Sequence, residues 1–288
     1  MTATDGHGMT ADRAQDGPQA SQPAWVPPGV DTRRANPARV YDYWLGGTHN
    51  FLADQDLGRA MAAVEPAVRD IARANRAFLG RAVRHLAAEA GISQFLDIGS
   101  GIPTQGNVHE VAGAYHPAAR VLYADIDPVA VAHSKAILAG HPSAAVISAD
   151  VRQPARLLAD PALALLDLDQ PAALLLVAVL HFIADDDDPW QIVATLRDAL
   201  APGSYLVLAH ATNESRPGTI RAAEKVYHRG VPSQGRARSR AEILRFFDGF
   251  ALLDPGLVYL PQWRPASPAD VPDDPARLWF LAGVGRKA

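Results

Sequence analysis

The stretch Phe95-Leu96-Asp97-Ile98-Gly99-Ser100-Gly101-Ile102-Pro103-Thr104 decides the fold of this chain. An apolar run reaches an acid and a Gly-x-Gly follows at once, which is typical of a buried strand that stops at a tight turn. Glycine permits backbone angles and a close approach that other residues resist. A strand, a glycine turn and a helix start predict a site for a nucleotide-like ligand. The predicted helix carries one apolar face, made by Val108, Val111, Ala112 and Tyr115.

Composition limits the class of protein. The 288 residues leave room for one large α/β domain with additions or for two small domains. A net charge of −4 argues against a nucleic-acid partner, and the absence of cysteine excludes disulfides, zinc–thiolate sites and iron–sulfur clusters. Apolar runs stay shorter than the ~18 residues of a membrane helix, and no secretory signal pattern is present. We therefore expect a cytoplasmic protein, and its oligomeric state stays open.

The first third of the chain predicts a tail and a helical cap. Residues 1–30 are rich in Gly, Pro, Gln and Ala without periodicity, which predicts a disordered tail. Residues 31–92 predict helices, the first of which starts at Asn36-Pro37 and stops at Gly46-Gly47. A short helix over Asp54–Val64 and a long helix that opens at Pro66 follow.

The long helix contains two polar residues, Asn75 and Arg76, beside its apolar stripe. Either one of them meets a ligand or a cap, or an amide at the stripe edge is satisfied by water. The sequence leaves both interpretations open.

Residues 93–288 predict one Rossmann-like α/β domain. Strands alternate with helices for over a hundred residues, which indicates βαβ units and a parallel sheet. The later strands Leu257–Leu260 and Leu278–Val284 are joined by a proline-rich loop, which predicts an antiparallel hairpin at the sheet edge. The predicted parallel strands are Gln94–Ile98, Arg120–Ala124, Ala144–Ala149, Ala172–Val179 and Ser204–Ala209.

Three carboxylates at three successive strand ends carry the predicted chemistry: Asp97, Asp125 and Asp150. In an open parallel sheet, ligands bind outside the carboxyl ends of the strands. Asp125 follows Gly101 by 24 residues, about the spacing of an acid that binds ribose hydroxyls. Asp150 is placed to accept a hydrogen bond from an exocyclic amine such as adenine N6. The predicted ligand is therefore an adenosine derivative.

The residues around the glycine turn favour one such ligand. A dinucleotide site needs a third glycine or an alanine where this chain has Thr104. Asp97, two residues before Gly99, repels a diphosphate but attracts an ammonium group. Adenosine joined to a cationic amino-acid tail is S-adenosylmethionine, the cofactor that these residues predict.

Four segments together resemble the class I S-adenosylmethionine-dependent methyltransferases: FLDIGSGIPT, VLYADIDP, ISADVRQP and LLLVAVLHFI. The segments NPARVYDYWLGGTHNF and ANRAFLGRAVRHL narrow the resemblance to the actinobacterial S-adenosyl methyltransferase family first catalogued as a domain of unknown function. The resemblance covers roughly residues 31–286.

The resemblance implies a seven-stranded, mostly parallel sheet of order 3-2-1-4-5-7-6 with an antiparallel strand 7, with helices on both faces and N-terminal helical additions. It implies cofactor contacts from the glycine turn, ribose binding by Asp125, and a methyl group bordered by Ala178–His181. The cofactor-binding residues that it implies besides Asp125 and Ala178 are Gly99, Ser100, Gly101, Ile126, Asp150 and Val151.

Two residues are candidates for the catalytic side. His181 follows the fourth strand, where the acceptor should approach, and imidazole titrates near neutral pH. Its alternative role is to pack beneath the adenine. Tyr41 could face the sulfonium with its ring, and its alternative is a helix core seam. A base is needed only if the acceptor must lose a proton.

Two charged clusters have a functional and a structural interpretation. Asp185–Asp188 could be a metal site, but a solvated loop whose last member caps a helix is favoured, so no metal is predicted. An arginine-rich cluster could meet an anionic substrate or form a solvated face; its members are Arg229, Arg236, Arg238, Arg240 and Arg245.

The sequence thus predicts a methyltransferase that acts on an O or N atom of a small molecule, possibly in secondary metabolism. Two alternatives stay open: a nucleic-acid methyltransferase and a non-catalytic sensor of S-adenosylmethionine. The first lacks support, because Val179-Leu180-His181-Phe182 stands where amino-methylating nucleic-acid enzymes carry Asn/Asp-Pro-Pro-Tyr/Phe. A nicotinamide-dependent oxidoreductase on the same fold is a further possibility.

Overall fold

The centre of the structure is a sheet of eight strands, seen in a computed structural model that describes residues 25–103, 106–231 and 235–288. The first five strands run parallel, and the last strand runs antiparallel between the fifth and the edge. Their order is β3-β2-β1-β4-β5-β8-β6, and β7 also pairs with β8. The strands are β1 Gln94–Ile98, β2 Arg120–Asp125, β3 Ala144–Ser148, β4 Ala173–Val177, β5 Tyr205–Ala211, β6 Phe250–Leu252, β7 Val258–Tyr259 and β8 Phe280–Lys287.

The helices start and stop where the capping residues predict. Asn36 accepts a hydrogen bond from the Ala38 amide at 2.8 Å, and Gly46 ends the first helix at φ 83°. Asp188 caps the seventh helix through the Gln191 amide. The helices are α1 Pro37–Leu45, α2 Leu52–Val64, α3 Val68–Ala88, α4 Val108–Tyr115, α5 Pro128–Ile137, α6 Pro154–Leu158, α7 Pro189–Asp198, α8 Pro217–Gly230 and α9 Arg240–Leu244.

The predicted class of fold and order of strands are confirmed, with one strand more than expected. The predicted hairpin partner near Leu257–Leu260 is the two-residue β7, which pairs with β8 at Leu281 and Ala282. The edge is instead β6, which pairs with Gly285–Lys287. Its three residues are too few to show the alternation from which a strand is recognised.

Two apolar layers cover the two faces of the sheet. On one face α3 and α4 pack against β1, β2 and β5, with Phe78 and Leu86 fully buried there. On the other face α7 and the α9 region pack through Ile192, Leu196 and Phe246. Burial on both faces explains why β4 and β5 are continuous apolar runs in the sequence.

A third apolar cluster joins α1 and α2 to α8, a helix that follows β5. Val40 and Trp44 of α1 pack there with Leu57 of α2 and Ala223 of α8. The N-terminal helices therefore lie beside the helix that follows β5. The division into a tail, a cap over 31–92 and a domain over 93–288 stays a prediction.

The expected N-terminal tail falls mostly outside the described residues, which begin at Trp25. Trp25 is half-buried and stacks on Phe51 with ring centroids 5.2 Å apart. Both rings pack against Ile102 of the glycine turn and Val129 of α5. Thr104, which the sequence argument used against a dinucleotide, also lies outside the described residues.

Candidate functional site

The glycine turn after β1 has the backbone that its sequence predicts. Gly99 and Gly101 have φ of 72° and 68°, a region that favours glycine. A Cβ on Gly99 would also lie 2.5 Å from Cγ2 of Val179, in the turn that follows β4. The turns after β1 and β4 therefore meet at the point where the strand order reverses, which is where ligands bind in open α/β sheets.

Asp125 at the end of β2 is tied to this turn. Its carboxylate accepts the Gly101 amide at 2.7 Å on Oδ2 and the Asp127 amide at 2.8 Å on Oδ1. Burial raises the pKa of Asp125, and these amides oppose the rise. Each oxygen keeps a further acceptor position, so the carboxylate can bind a diol while it holds the turn in place.

Asp97 is 5% exposed, at the base of the turn. Burial raises its pKa to about 7; the Arg76 charge opposes this rise and the Asp125 charge adds to it. A cation that arrived beside Asp97 would favour the charged form of this carboxyl. The site therefore suits the ammonium group that the sequence predicts beside Asp97.

Enclosed polar atoms without a partner surround the glycine turn. Within the described residues, Oδ1 of Asn75, Nε of Arg76 and Oγ of Ser100 make no hydrogen bond. Buried polar atoms are normally paired, so these three atoms are available to a ligand or to water. We call these three residues the turn cluster. They offer an acceptor and two donors where an amino acid's charged ends would need them.

Tyr41 lies next to the turn cluster. Its hydroxyl accepts from Nδ2 of Asn75 at 3.0 Å and donates to the Ala72 carbonyl at 2.9 Å. Burial raises the pKa of Tyr41, so the hydroxyl keeps its proton. These bonds fix the orientation of the Asn75 amide. Of the two readings that the sequence left open for Asn75 and Arg76, the unpartnered atoms favour a ligand contact.

At the expected adenine end, Ile126 is exposed and Asp150 already forms an ion pair. Ile126, directly after β2, is 54% exposed although it is large and apolar. Val151 is buried, whereas the Asp150 carboxylate is bound by the Arg152 guanidinium, with the closest contact at 2.6 Å. Burial alone would raise the pKa of Asp150, but the hydrogen bonds from Arg152 outweigh it and lower the pKa.

The turn after β4 carries the expected catalytic side. Ala178 has φ 61°, a left-handed conformation that is unusual for alanine, and its amide donates to the Ala209 carbonyl of β5. His181 follows in a short 3₁₀ turn, Leu180–Phe182. Burial and then the Arg238 charge lower the pKa of His181 to about 3, so its ring is neutral at neutral pH.

Arg238 holds this turn from 58 residues away, a role that the sequence does not reveal. Its guanidinium donates to the carbonyls of Leu180 and Ile183 at 3.0 and 2.8 Å, and to Asp185 Oδ1 at 2.7 Å. It also donates to Nε2 of His210 at 2.9 Å. The side chain is fully buried, so the expected solvated face is wrong for this member of the arginine-rich cluster.

A second group of enclosed polar atoms lies at the ends of β4 and β5. Nδ1 of His181 and Oγ1 of Thr212 have no hydrogen-bond partner in the described parts of the chain. His210, by contrast, is fully paired. Its Nε2 accepts from Arg238, so the ring carries its proton on Nδ1 and donates to the Ala211 carbonyl at 2.7 Å.

The sequence profile of the S-adenosyl methyltransferase family matches residues 23–288. The chain belongs to this family. The match covers the glycine turn, Asp125 and the turn after β4, and it confirms the predicted cofactor, S-adenosylmethionine. No curated protein matches the chain.

Solved structures agree with the family. The chain is similar to a candidate methyltransferase from Thermobifida fusca, with 43% identity and a TM-score of 0.86 over 92% of this chain and 99% of that chain. It is equally similar to a DUF574 family protein from Streptomyces avermitilis, with 40% identity and a TM-score of 0.86 over 90% and 99%. An O-methyltransferase family protein from Burkholderia thailandensis, with 13% identity and a TM-score of 0.52 over 82% and 61%, shares the fold alone.

The donor set fits the cofactor of the S-adenosyl methyltransferases. Asp125 and the turn cluster supply the acceptors and donors that a ribose and an amino acid require, and Ile126 offers an apolar surface for a base.

No helix within the described ranges is both long and apolar enough to cross a membrane.

Proposed function

We propose that this protein transfers a methyl group to an O or N atom of a small molecule and that it acts in secondary metabolism. The proposal is supported by two separate groups of enclosed polar atoms that have no partner among the described residues, one around the turn after β1 and one at the ends of β4 and β5. One group suits the amino-acid end of the cofactor. The other, beside His181 and Thr212, suits a second and smaller polar molecule.

The cofactor residues take the following roles in this proposal. Asp97 receives the ammonium group, and Arg76 with Ser100 binds the carboxylate. Asp125 receives the ribose hydroxyls, while Gly99 and Gly101 let the backbone approach. The residues assigned to the adenine are Ile126, Asp150 and Val151, and Ala178 borders the methyl group. Both carboxylate oxygens of Asp150 accept hydrogen bonds from Arg152, so Asp150 must exchange part of this contact for the adenine amine.

S-adenosylmethionine supplies a methyl group on a sulfonium: the acceptor's lone pair forms the new bond to carbon, sulfur keeps the electron pair of the broken bond, and a hydroxyl or amine acceptor releases a proton. Alignment of the two reactants supplies most of the acceleration, up to about 7–11 kcal/mol. His181 is proposed to take the released proton. Because its ring is neutral and its pKa is low, it can take this proton from a hydroxyl acceptor, whose oxygen becomes strongly acidic as the methyl group attaches. Tyr41 is proposed to line the methyl side of the cofactor site.

A nucleic-acid acceptor receives no support from the arginine-rich cluster. Arg236 contacts Asp185 at 2.6 Å and Glu242 at 2.7 Å, and Arg238 is buried against Asp185. These two guanidinium groups are committed within the chain and are not offered to a phosphate backbone.

Isothermal titration with S-adenosylmethionine tests the cofactor site, and mass spectrometry of a panel of small hydroxyl and amine compounds tests the transfer. Saturable binding and a product heavier by one methylene group are expected. No binding to a folded protein would refute the proposed cofactor site. Binding without transfer to the panel would favour the sensor.

A further inference from the structure

Four rings converge where β4 and β5 end. His181 lies 5.2 Å from Phe280 and 4.1 Å from Phe182, measured between ring centroids. Phe182 in turn stacks on Tyr227 at 5.5 Å. The rings come from the turn after β4, from α8 and from the first residue of β8. We call His181, Phe182, Tyr227 and Phe280 the ring wall.

Three of the four rings of the ring wall keep part of their surface exposed, and Phe280 is buried. His181, Phe182 and Tyr227 are half-buried, in contrast to the fully buried rings of Phe78 and Phe246 in the two apolar layers. Half-buried rings beside a ligand-binding edge offer flat apolar surface to a second molecule.

The polar atoms beside the ring wall define what that molecule must carry. Two histidines lie here with ring centroids 5.7 Å apart, and they differ in one respect. His210 uses both of its nitrogens within the chain, whereas Nδ1 of His181 is enclosed and has no partner among the described residues. Thr212 is fully buried, and its Oγ1 likewise has no partner among the described residues. An enclosed imidazole nitrogen requires a hydrogen-bond partner, which a bound hydroxyl group would provide.

The charge beside the ring wall disfavours a cationic molecule there. Arg238 lies close enough to His181 to lower the pKa of that ring, and it also acts on His210. Asp185 compensates part of this charge through its ion pair with the Arg238 guanidinium at 2.7 Å. Asp54 acts on Tyr227 from the direction of α2 and raises its pKa further than burial does alone. His181 therefore faces a positive field, which disfavours a protonated amine at this nitrogen.

We propose that the ring wall binds the methyl acceptor, and that this acceptor is a planar aromatic molecule whose hydroxyl group hydrogen-bonds to His181. The proposal rests on the proposed function and deepens it by naming the acceptor class. The aromatic ring lies against Phe182 and Tyr227, and the hydroxyl oxygen is the atom that receives the methyl group. Its proton passes to His181 as the oxygen–carbon bond forms.

The test measures binding of three matched probes to the full chain saturated with S-adenosylhomocysteine: 2-naphthol, its saturated counterpart decahydro-2-naphthol, and naphthalene. An aromatic contact changes affinity by roughly two- to tenfold, so 2-naphthol should bind at least about threefold more tightly than the saturated alcohol. The affinity of 2-naphthol should exceed that of naphthalene by a similar factor, since a net hydrogen bond contributes about as much binding free energy as the aromatic contact.

Variants assign the two preferences to residues. Tyr227→Leu and Phe182→Leu should abolish the preference for the aromatic ring. His181→Phe keeps a ring but removes both nitrogens, so it should abolish only the preference for the hydroxyl. Tyr115→Leu, an exposed ring at the end of α4, is the matched control and should change neither. Unaltered affinity for S-adenosylhomocysteine in each variant shows that it is folded.

The outcomes separate this proposal from the proposed function. If S-adenosylhomocysteine does not bind the wild-type chain, the cofactor site itself is refuted. If it binds but the three probes bind equally, or none of them binds, the aromatic acceptor is refuted and the cofactor site stands. The aromatic acceptor is also refuted if Tyr227→Leu and Phe182→Leu still bind 2-naphthol more tightly than the saturated alcohol.

Discussion

The ends of β1–β3 and the ends of β4 and β5 both contain enclosed polar atoms that find no partner in the described part of the chain, but the two regions are held in place differently. At β1–β3 the support is mostly local backbone: Asp125 accepts two amides, and Gly99 and Gly101 shape the turn. At β4 and β5 a long-range side chain, Arg238, adds to the local backbone bonds by donating to two carbonyls and a histidine.

The difference in support indicates which of the two regions can change its ligand specificity. A region built from backbone amides and glycines keeps one geometry, which suits a cofactor that never varies. A region whose geometry depends in part on one guanidinium can be altered by few substitutions, which suits the proposed site of the acceptor.

The largest expected effect follows from removal of Arg238. Arg238→Met leaves the buried acceptors of Leu180, Ile183 and His210 unpaired, and at about 1–3 kcal/mol each this lowers the free energy of unfolding by about 3 kcal/mol or more. Urea denaturation measures it. Arg236→Met is the matched control: Arg236 also pairs with Asp185 but its side chain is 37% exposed, so less than about 1 kcal/mol is expected.

If Arg238→Met proves too unstable to purify, Arg238→Lys retains the charge but not the fork of donors. It should keep the affinity for S-adenosylmethionine and weaken binding of 2-naphthol at the ring wall. Equal losses at both sites would contradict the separate support of the two regions.

The second effect concerns the β1–β3 region. Asp125→Ala removes a charged acceptor, and hydrogen bonds to charged groups contribute about 1.5–3 kcal/mol, so the affinity for S-adenosylmethionine should fall at least about tenfold. Isothermal titration measures the loss. Asp160→Ala is the control, because Asp160 also accepts a backbone amide, that of Ala162, but far from the glycine turn. Unchanged affinity in folded Asp125→Ala would refute the ribose assignment.

The third effect is a pH dependence that Asp97 imposes. Its pKa is raised from 3.8 to about 7 in the folded chain, so the folded chain binds the extra proton between these values. The contribution of Asp97 to the free energy of unfolding is therefore complete below about pH 4 and is lost as the pH rises to about 7. The free energy of unfolding then falls by up to about 1.4 kcal/mol per pH unit. The free energies of unfolding of wild type and Asp97→Asn, compared across this range without cofactor, measure it.

Saturation with S-adenosylmethionine sharpens this measurement. An ammonium group beside Asp97 favours the charged carboxyl, so the difference between wild type and Asp97→Asn should change less with pH when cofactor is bound. A slope that is the same with and without cofactor would place the ammonium group elsewhere.

The contrast between the two regions also explains what the sequence could predict. Asp97, Gly99 and Gly101 lie within five residues, and Asp125 follows at a βα spacing, so the local pattern was enough to predict the identity of the cofactor. Arg238 stood in an arginine-rich run whose charge suggested solvent, because no local pattern shows that a guanidinium turns inward to bond carbonyls 55 and 58 residues away. The three-residue β6 was missed since so short a segment shows no period.

The smallest effect tests the adenine end through two exposed apolar residues. Ile126 and Leu52 are 54% and 68% exposed, so replacement of either by alanine should leave the stability of the folded chain nearly unchanged. Only Ile126 lies beside Asp125, where the base of the cofactor is proposed to bind. Ile126→Ala should therefore weaken S-adenosylmethionine binding by about 1 kcal/mol, or roughly fivefold, through lost apolar contact, whereas Leu52→Ala should not. Equal affinities of the two variants in isothermal titration would move the base away from β2, and the assignment of Val151 would then fail with that of Ile126.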